Sequence, residues 1–193
     1  MRKAALKRES LESNVYVSLN LDGKGQHKIQ TGVGFFDHML ELFAFHSQID
    51  LEVEAKGDLR VDDHHTIEDV GIVLGQALKQ ALGDRLGINR YGFFLLPMDE
   101  TLARAVVDIS GRPTLVFKAE FTQEKAGDMS TEMVREFFYA LSIWARLTLH
   151  LEILYGKNNH HMIEALFKCF GQALRLAIKK DGDLIPSTKG LLD

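Results

Sequence analysis

Two stretches of this sequence carry the same pair of motifs in the same order. His64-His65 and Gly75-Gln76-Ala77-Leu78 recur as His160-His161 and Gly171-Gln172-Ala173-Leu174, each 96 residues further along the chain. Coincidental helix-like composition could copy one tetrapeptide, but it would not copy two motifs in register. We therefore interpret the chain as a duplicated β/α half-domain, which restricts the fold to two similar units.

Hydrophobic periodicity predicts the elements of each half. In the first half, it predicts a β-hairpin of residues 15–21 and 27–30 with a turn at 22–25, a helix over 36–45, a strand over 49–55 and a helix over 63–82. In the second half, it predicts strands over 102–109 and 114–121, a helix over 131–146, a strand over 148–155 and a helix over 159–180. The prediction is an α/β protein of the α+β type, with duplicated β-β-α-β-α half-domains at about 1–90 and 91–193 in a single domain, because three prolines and no Gly/Ser-rich linker interrupt the chain.

Composition excludes several classes of function. The net charge of −4 provides no positive field for nucleic acid, so no nucleic-acid partner is expected. A single cysteine, Cys169, cannot form an internal disulfide, and its apolar neighbours indicate a buried thiol in a reducing compartment. Without a signal peptide or a run of 18 apolar residues, we expect a cytoplasmic protein with no membrane partner.

The motif His-His-x-x-Glu opens both long predicted helices, at His64 to Glu68 and at His160 to Glu164. Chance predicts on the order of 0.02 copies in a chain of this composition. Residues at i and i+4 share a helix face, so the first histidine and the glutamate of each motif can converge on one metal ion. The middle histidines, His65 and His161, lie about 100° around the helix and should serve a second ion or a second subunit.

His38, at a glycine-rich helix entry, and His150, on the polar face of a strand, bring the candidate ligands to six histidines and two glutamates. This nitrogen and oxygen set suits Mn²⁺, Fe²⁺, Ni²⁺ or Zn²⁺. Alternatively, the paired histidines could cap helices, and His38 and His150 could be ordinary polar-face residues. On spacing alone, His46 is expected to be structural, and His27 is expected to be solvated in a turn.

At this level of detail, the sequence resembles the imidazoleglycerol-phosphate dehydratases, the lyases of histidine biosynthesis. The similarity extends over nearly the whole chain. It rests on motifs at residues 8–13, 32–40, 62–69, 98–104, 108–113, 160–164 and 186–190. One departure is visible at 8–13, where serines stand in place of the usual threonines and keep the hydroxyl groups.

The resemblance implies helices packed between two β-sheets, a fold like ribosomal protein S5 domain 2. Some members of the family carry a fused phosphatase domain, and because this chain begins close to its own first motif, we expect no such domain here. It also implies a homo-oligomer of 24 subunits and two Mn²⁺ ions per active site, with ligands shared between neighbouring subunits. The implied ligands are the same eight residues: His38, His64, His65, Glu68, His150, His160, His161 and Glu164.

The resemblance further implies the reaction and the residues that contact the substrate. D-erythro-1-(imidazol-4-yl)glycerol 3-phosphate would lose water through an imidazolate held by the two metals, giving the 2-oxopropyl phosphate. Glu12 is the implied proton-handling group, with Asp99 and Glu100 as alternatives. The implied phosphate ligands are Arg90, Arg112, Ser187 and Lys189, and the remaining implied substrate contacts are Glu12, His38, His46, His64, Glu68, His160 and Lys168.

Two other functions use the same metal ligands. Another di-metal enzyme, such as a hydrolase acting on a small phosphorylated substrate, would use them to form a metal-bound hydroxide. A structural metal site would use them to join subunits, and it would have no open coordination position.

Overall fold

The computed structural model of the chain describes residues 2–192, and its elements fall into two consecutive sets. The first set is β1 (Lys3–Glu9), β2 (Ser13–Asn20), β3 (His27–Gln30), α1 (Gly34–Ser47), β4 (Asp50–Gly57) and α2 (His64–Leu82). The second set is β5 (Tyr91–Met98), β6 (Thr101–Asp108), β7 (Thr114–Lys118), β8 (Lys125–Ala126), β9 (Met129–Ser130), α3 (Glu132–Ala145), β10 (Thr148–Tyr155) and α4 (Asn159–Ile178).

Each set forms one four-stranded sheet. Sheet 1 has the order β1-β2-β4-β3, and sheet 2 has the order β5-β6-β10-β7. In both sheets the last pair, β4 with β3 or β10 with β7, is parallel, and the other pairs are antiparallel. The matching order and direction confirm the predicted duplication and the α+β type of fold.

The predicted hairpin between residues 15–21 and 27–30 is wrong. β2 pairs with β1 and β4, whereas β3 pairs with β4 in parallel. The Asp50 carboxylate at the start of β4 accepts hydrogen bonds from the backbone N–H groups of Lys24 and Gln26, at 2.8 and 3.1 Å. The connection therefore crosses the end of β4, and His27 begins a strand instead of lying in a turn.

Each half also begins with a strand that the periodicity did not predict. β1 is mostly charged and exposed, with only Ala4 buried. β5 has the sequence YGFFLLPM, which is apolar on both faces and so shows no alternation between apolar and polar residues. The predicted strand over 114–121 ends earlier, at Lys118, and is followed by an irregular segment that leads into the short β8–β9 hairpin.

The four helices lie between the two sheets, where α2 packs against α3 and α1 packs against α4. The glycine of the repeated tetrapeptide allows these close approaches in both halves. A Cβ on Gly75 of α2 would lie 2.8 Å from the carbonyl oxygen of Leu141, and one on Gly171 of α4 would lie 3.1 Å from that of Phe43. Buried phenylalanines fill the layer, for example Phe36 against Phe137 at 5.2 Å between ring centroids. Within residues 2–192, no helix has the length and apolar character needed to cross a membrane.

Candidate metal centre

The N-terminus of α4 directs two predicted ligands to the same side. The Asn158 side chain accepts hydrogen bonds from the backbone N–H groups of His160 and His161, which fixes the first turn of the helix. One turn separates His160 from Glu164, and the His160 Nε2 lies 3.1 Å from the Glu164 Oε2. The equivalent pair on α2, His64 and Glu68, has these atoms 3.9 Å apart.

His38 completes a three-residue donor cluster at the junction of α1 and α4. Its Nε2 lies 3.6 Å from the Glu164 Oε2, and the donor atoms of His38, His160 and Glu164 all lie within 4.8 Å of one another. Glu164 is buried, whereas both histidines are partly exposed and accessible from solvent. Two imidazole nitrogens and one carboxylate oxygen suit a borderline divalent metal, and three donors leave coordination positions open.

Glu164 is kept ionised by its neighbours. Burial alone would raise the pKa of this carboxyl, but an ion pair with Lys168 and a hydrogen bond from His160 outweigh it and hold the pKa below its ordinary value. The Lys168 side chain is 17% exposed, so it belongs to the cluster and not to the solvated helix surface. The cluster therefore presents a charged carboxylate, which a cation requires.

The middle histidines of the two motifs are each held by a carboxylate at Nδ1. His65 donates from Nδ1 to Asp58 at 3.1 Å, and His161 donates from Nδ1 to Glu100 at 2.7 Å. These hydrogen bonds raise the pKa of both histidines and, together with backbone N–H groups, lower the pKa of Glu100 to about 2. A carboxylate on one ring nitrogen is the usual partner of a metal-binding histidine, because it orients the ring and leaves Nε2 for the metal.

The sequence did not reveal these orienting roles. Asp58 follows β4 with no motif around it, and the sequence suggests Glu100 only as an alternative acid or base. Glu12, the predicted proton-handling group, lies 3.7 Å from the Nε2 of His65, with a side chain that is 57% exposed. Its turn is fixed by Ser10, whose Oγ accepts the backbone N–H groups of Glu12 and Ser13.

The eight predicted ligands do not all meet within one chain. Among residues 2–192, the group of three that could hold a metal is His38, His160 and Glu164. The pair His64 and Glu68 lies on the other long helix, and His150 is exposed on the outer face of sheet 2.

His46, a predicted substrate contact, lies in the last turn of α1, where its Nδ1 is 3.3 Å from the Nε2 of Gln172. Its burial and the nearby charge of Lys168 lower its pKa.

The four predicted phosphate ligands line a single cleft of about 900 Å³: Arg90, Arg112, Ser187 and Lys189. The Arg90 guanidinium is paired with Asp108 through Nε at 2.7 Å and Nη2 at 3.2 Å, and its Nη1 donates to the carbonyl of Pro186 at 3.0 Å. Arg90 thus attaches the C-terminal segment to sheet 2. Arg112 and Lys189 are exposed, and neither forms an ion pair with the part of the chain that the structure describes.

Comparisons with known proteins agree with this architecture. The family described as imidazoleglycerol-phosphate dehydratase matches residues 31–174. Imidazoleglycerol-phosphate dehydratases of Exiguobacterium sp. and Clostridium botulinum are 59% and 56% identical, covering 100% and 99% of this chain and 100% and 98% of their own lengths. The crystal structure of the Staphylococcus aureus enzyme is 47% identical with a TM-score of 0.85, over 93% of this chain and 99% of that one.

A crystal structure of the Pyrococcus furiosus enzyme, in complex with (S)-C348, is 35% identical with a TM-score of 0.83, over 97% of this chain and 100% of that one. The relatives that match over the full length of the chain and the solved structures with the same fold all belong to one family. The chain belongs to the imidazoleglycerol-phosphate dehydratase family of hydro-lyases.

Proposed function

We propose that this chain dehydrates D-erythro-1-(imidazol-4-yl)glycerol 3-phosphate to 3-(imidazol-4-yl)-2-oxopropyl phosphate and water, a cytoplasmic step of histidine biosynthesis that requires two Mn²⁺ ions per active site. The observation that carries the proposal is the convergence of His38, His160 and Glu164, which form an open, charged donor set. The dehydration itself is proposed because it is the reaction after which the family is named.

The donor residues fit a pair of metal ions. His38, His160 and Glu164 would hold one ion, and His64 with Glu68 offers the start of a second site on the other long helix. His65 and His161, oriented by Asp58 and Glu100, would each direct Nε2 to a metal. When bound, the two ions would supply Lewis-acid sites that stabilise the imidazole ring of the substrate as an imidazolate.

One substrate cannot reach both the donor cluster and the phosphate cleft of the same chain. The backbone N–H of Arg90 donates to the carbonyl of Ala177, thirteen residues after Glu164 in α4. At 1.5 Å per residue, about 20 Å of helix separates the two ends. Five bonds of about 1.5 Å join the imidazole ring to the phosphorus, so the substrate is much shorter than that separation. Each active site would therefore combine the donor cluster of one copy with the phosphate cleft of another.

His150 supports this arrangement because it lies beside the phosphate cleft. It is two residues from Thr148, whose Oγ1 donates to the Arg112 carbonyl at 3.0 Å. On β10, His150 lies in register with Val106 on β6 and with Val116 on β7. Val106 is in turn in register with Phe93 on β5, whose side chain is 71% exposed. The nearby Glu152 carboxylate is paired with Arg104, and within residues 2–192 His150 belongs to no group of three metal donors, so this histidine is suited to contact with another copy. The assembly would be the homo-oligomer of 24 subunits that the resemblance implies.

The cleft residues supply cationic and hydroxyl donors for the substrate phosphate. Arg112 and Lys189 would contribute the free positive charge, and Ser187 a hydroxyl. Arg90 shares its charge with Asp108, so its contribution is to hold the segment that carries Ser187 through the Pro186 carbonyl.

Glu12 would remove the proton from the carbon that bears the second hydroxyl group. The first hydroxyl, next to the ring, leaves as water by taking up that proton, and the resulting enol gains a proton on the ring-side carbon and loses the proton of its hydroxyl group to give the ketone. The carboxylate is suited to this role because it is exposed, lies next to the Nε2 side of His65 and is held on a turn fixed by Ser10. His46 and Lys168, near Glu164, would contact the substrate from α1 and α4.

The direct test is to strip the protein of metal, add back Mn²⁺ and supply the substrate, with the ketone detected by mass spectrometry. Ketone that forms only with added metal supports the proposal. No ketone from the metal-loaded protein, with the substrate recovered intact, would refute it. Release of inorganic phosphate instead would indicate a hydrolase.

A further inference from the structure

The connection that precedes α3 is much longer than its counterpart in the first half. Residues 31–33 join β3 to α1, whereas residues 119–131 join β7 to α3 and contain the β8–β9 hairpin. Because the two halves otherwise share one topology, this 119–131 segment is an addition specific to the second half. The residues of this segment contact the N-termini of α1, α2 and α4.

The tip of the hairpin caps α1, the helix that carries His38. The Asp128 carboxylate accepts hydrogen bonds from the backbone N–H groups of Gly34 and Phe35, at 2.7 and 2.9 Å. The N-cap position of α1 is Val33, which offers no side-chain acceptor, so Asp128 replaces a local cap from a distant part of the chain. These hydrogen bonds hold the pKa of Asp128 below its ordinary value despite the burial that opposes ionisation.

The same tip also supports His160 through Phe35. Gly127 adopts a φ of +59°, and a Cβ at this position would lie 3.1 Å from the Phe35 Cβ. The Phe35 ring in turn packs edge-on against the His160 ring, with 5.0 Å between centroids. Two members of the donor cluster, His38 and His160, are therefore supported by one hairpin turn.

Other residues of the segment bind the N-termini of the two remaining ligand-bearing helices. The Ser130 backbone N–H and Oγ donate to the Asp63 carboxylate, at 2.6 and 2.8 Å, directly before α2. The Thr122 backbone N–H donates to the Asn159 Oδ1 at 3.2 Å, at the start of α4. All three helices with predicted metal ligands are thus joined by residues 119–131.

We propose that the 119–131 segment positions these helix ends for metal binding, and that Asp128 is its principal positioning residue. The inference rests on the proposed metal site but concerns how the donors are held before a metal arrives. A pre-formed donor set loses less conformational freedom on binding, so a loosened N-terminus of α1 lowers metal affinity even where the fold is intact.

The test compares Mn²⁺ binding by metal-stripped variants in calorimetric titrations, together with hydrogen exchange of the amides at residues 34 and 35. Asp128→Ala removes both acceptors, and Asp128→Asn retains a good capping residue. Ile88→Val is the matched control, because it trims a buried side chain beside Lys180, at the opposite end of α4.

We expect Asp128→Ala to weaken Mn²⁺ binding by roughly twofold to thirtyfold. This range is the change in an equilibrium constant that corresponds to the free-energy cost of losing a helix N-cap. The amides at 34 and 35 should exchange faster, Asp128→Asn should restore most of the affinity, and Ile88→Val should bind as the wild type does. If Asp128→Ala does not fold, Ser130→Ala, which removes one hydrogen bond to Asp63, should show a smaller loss of the same kind.

The inference is overturned if metal affinity is unchanged in Asp128→Ala and in Ser130→Ala, or if Ile88→Val loses affinity equally. These outcomes do not contradict the proposed dehydration, because each of them is measured against wild-type protein that binds Mn²⁺. A wild-type chain that binds no Mn²⁺ would instead refute the metal site itself, and this inference with it.

Discussion

Two variants that are each strongly impaired at a substrate concentration well below the wild-type KM should restore activity to one another when they are mixed at that concentration. Glu164→Gln damages the donor cluster and leaves the phosphate cleft intact, whereas Arg112→Ala damages the cleft and leaves the donor cluster intact. About 20 Å of α4 separates Glu164 from Arg90 at the cleft end of the same chain, which is too far for one substrate, so the proposed active site would take one end from each of two copies. Some sites in a mixed assembly will therefore contain no substitution.

The size of the effect follows from random assembly. In an equal mixture, the cluster of a given site comes from the Arg112→Ala chain half the time, and its cleft comes from the Glu164→Gln chain half the time. About a quarter of the sites are then intact, so the mixture should reach about a quarter of the wild-type rate. Sites formed within single chains would give only the mean of the two variants.

The assay dissociates both proteins with a chelator, mixes them and reassembles them with Mn²⁺ before the rate of ketone formation is measured. Gel filtration must show that each variant assembles alone. A mixture of Arg112→Ala with Lys189→Ala is the matched control, because every site then keeps a damaged cleft and no gain is expected. The reasoning fails if the first mixture shows no gain over its components.

Four further results are expected. Chelation should reduce the sedimentation coefficient of the assembly, and an unchanged large particle without metal would contradict ligands shared between subunits. Glu12→Gln should lower kcat by about 10²-fold or more with normal metal content, so a near wild-type rate would direct attention to Asp99. Arg112→Ala should raise KM roughly tenfold to a hundredfold, and an unchanged KM would remove Arg112 from the phosphate site. Because Asp58 raises the pKa of His65, protons should compete with the metal for this histidine already above about pH 6.5, and the affinity for Mn²⁺ should fall as the pH falls. In Mn²⁺ titrations at a series of pH values, Asp58→Asn should show the same decline at lower pH than the wild type does.

The sequence predicted the parts of the fold that local patterns determine. The repeated motifs predicted the duplication because the same glycine serves the same purpose in both halves, namely close packing of a helix on its neighbour. The hairpin prediction failed because the turn at 22–25 is oriented by Asp50, which lies far away in sequence. β5 was missed because Tyr91, Phe93 and Leu95 are exposed apolar residues, so the strand lacks the alternation that a solvated outer face would show.

The candidate site was predictable to the same extent. His160 and Glu164 are one helical turn apart, and that spacing alone placed them together as the structure does. Their supporting partners come from other elements, so no local pattern indicated Asp58 or Asp128. Such contacts depend on how helices and loops from both halves meet, which is a property of tertiary packing.

The duplication also explains why one of two equivalent glutamates orients a histidine and the other does not. Glu12 directly precedes β2, and Glu100 directly precedes the equivalent strand β6, yet the two carboxylates contact different atoms of equivalent histidines. Glu100 occupies the Nδ1 side of His161, whereas Glu12 faces the Nε2 side of His65.

The difference depends on the residue that follows the neighbouring strand. After β4 this residue is Asp58, which binds the Nδ1 of His65 and so takes over the orienting role. After β10, Gly156 occupies the position of Gly57, and the next residue is Lys157, which has no carboxylate, so Glu100 orients His161. A strictly symmetric pair of halves would use both glutamates to orient histidines. The divergence at Asp58 releases Glu12 from that role, which leaves its carboxylate exposed beside the Nε2 of His65, where the proposed reaction needs a base.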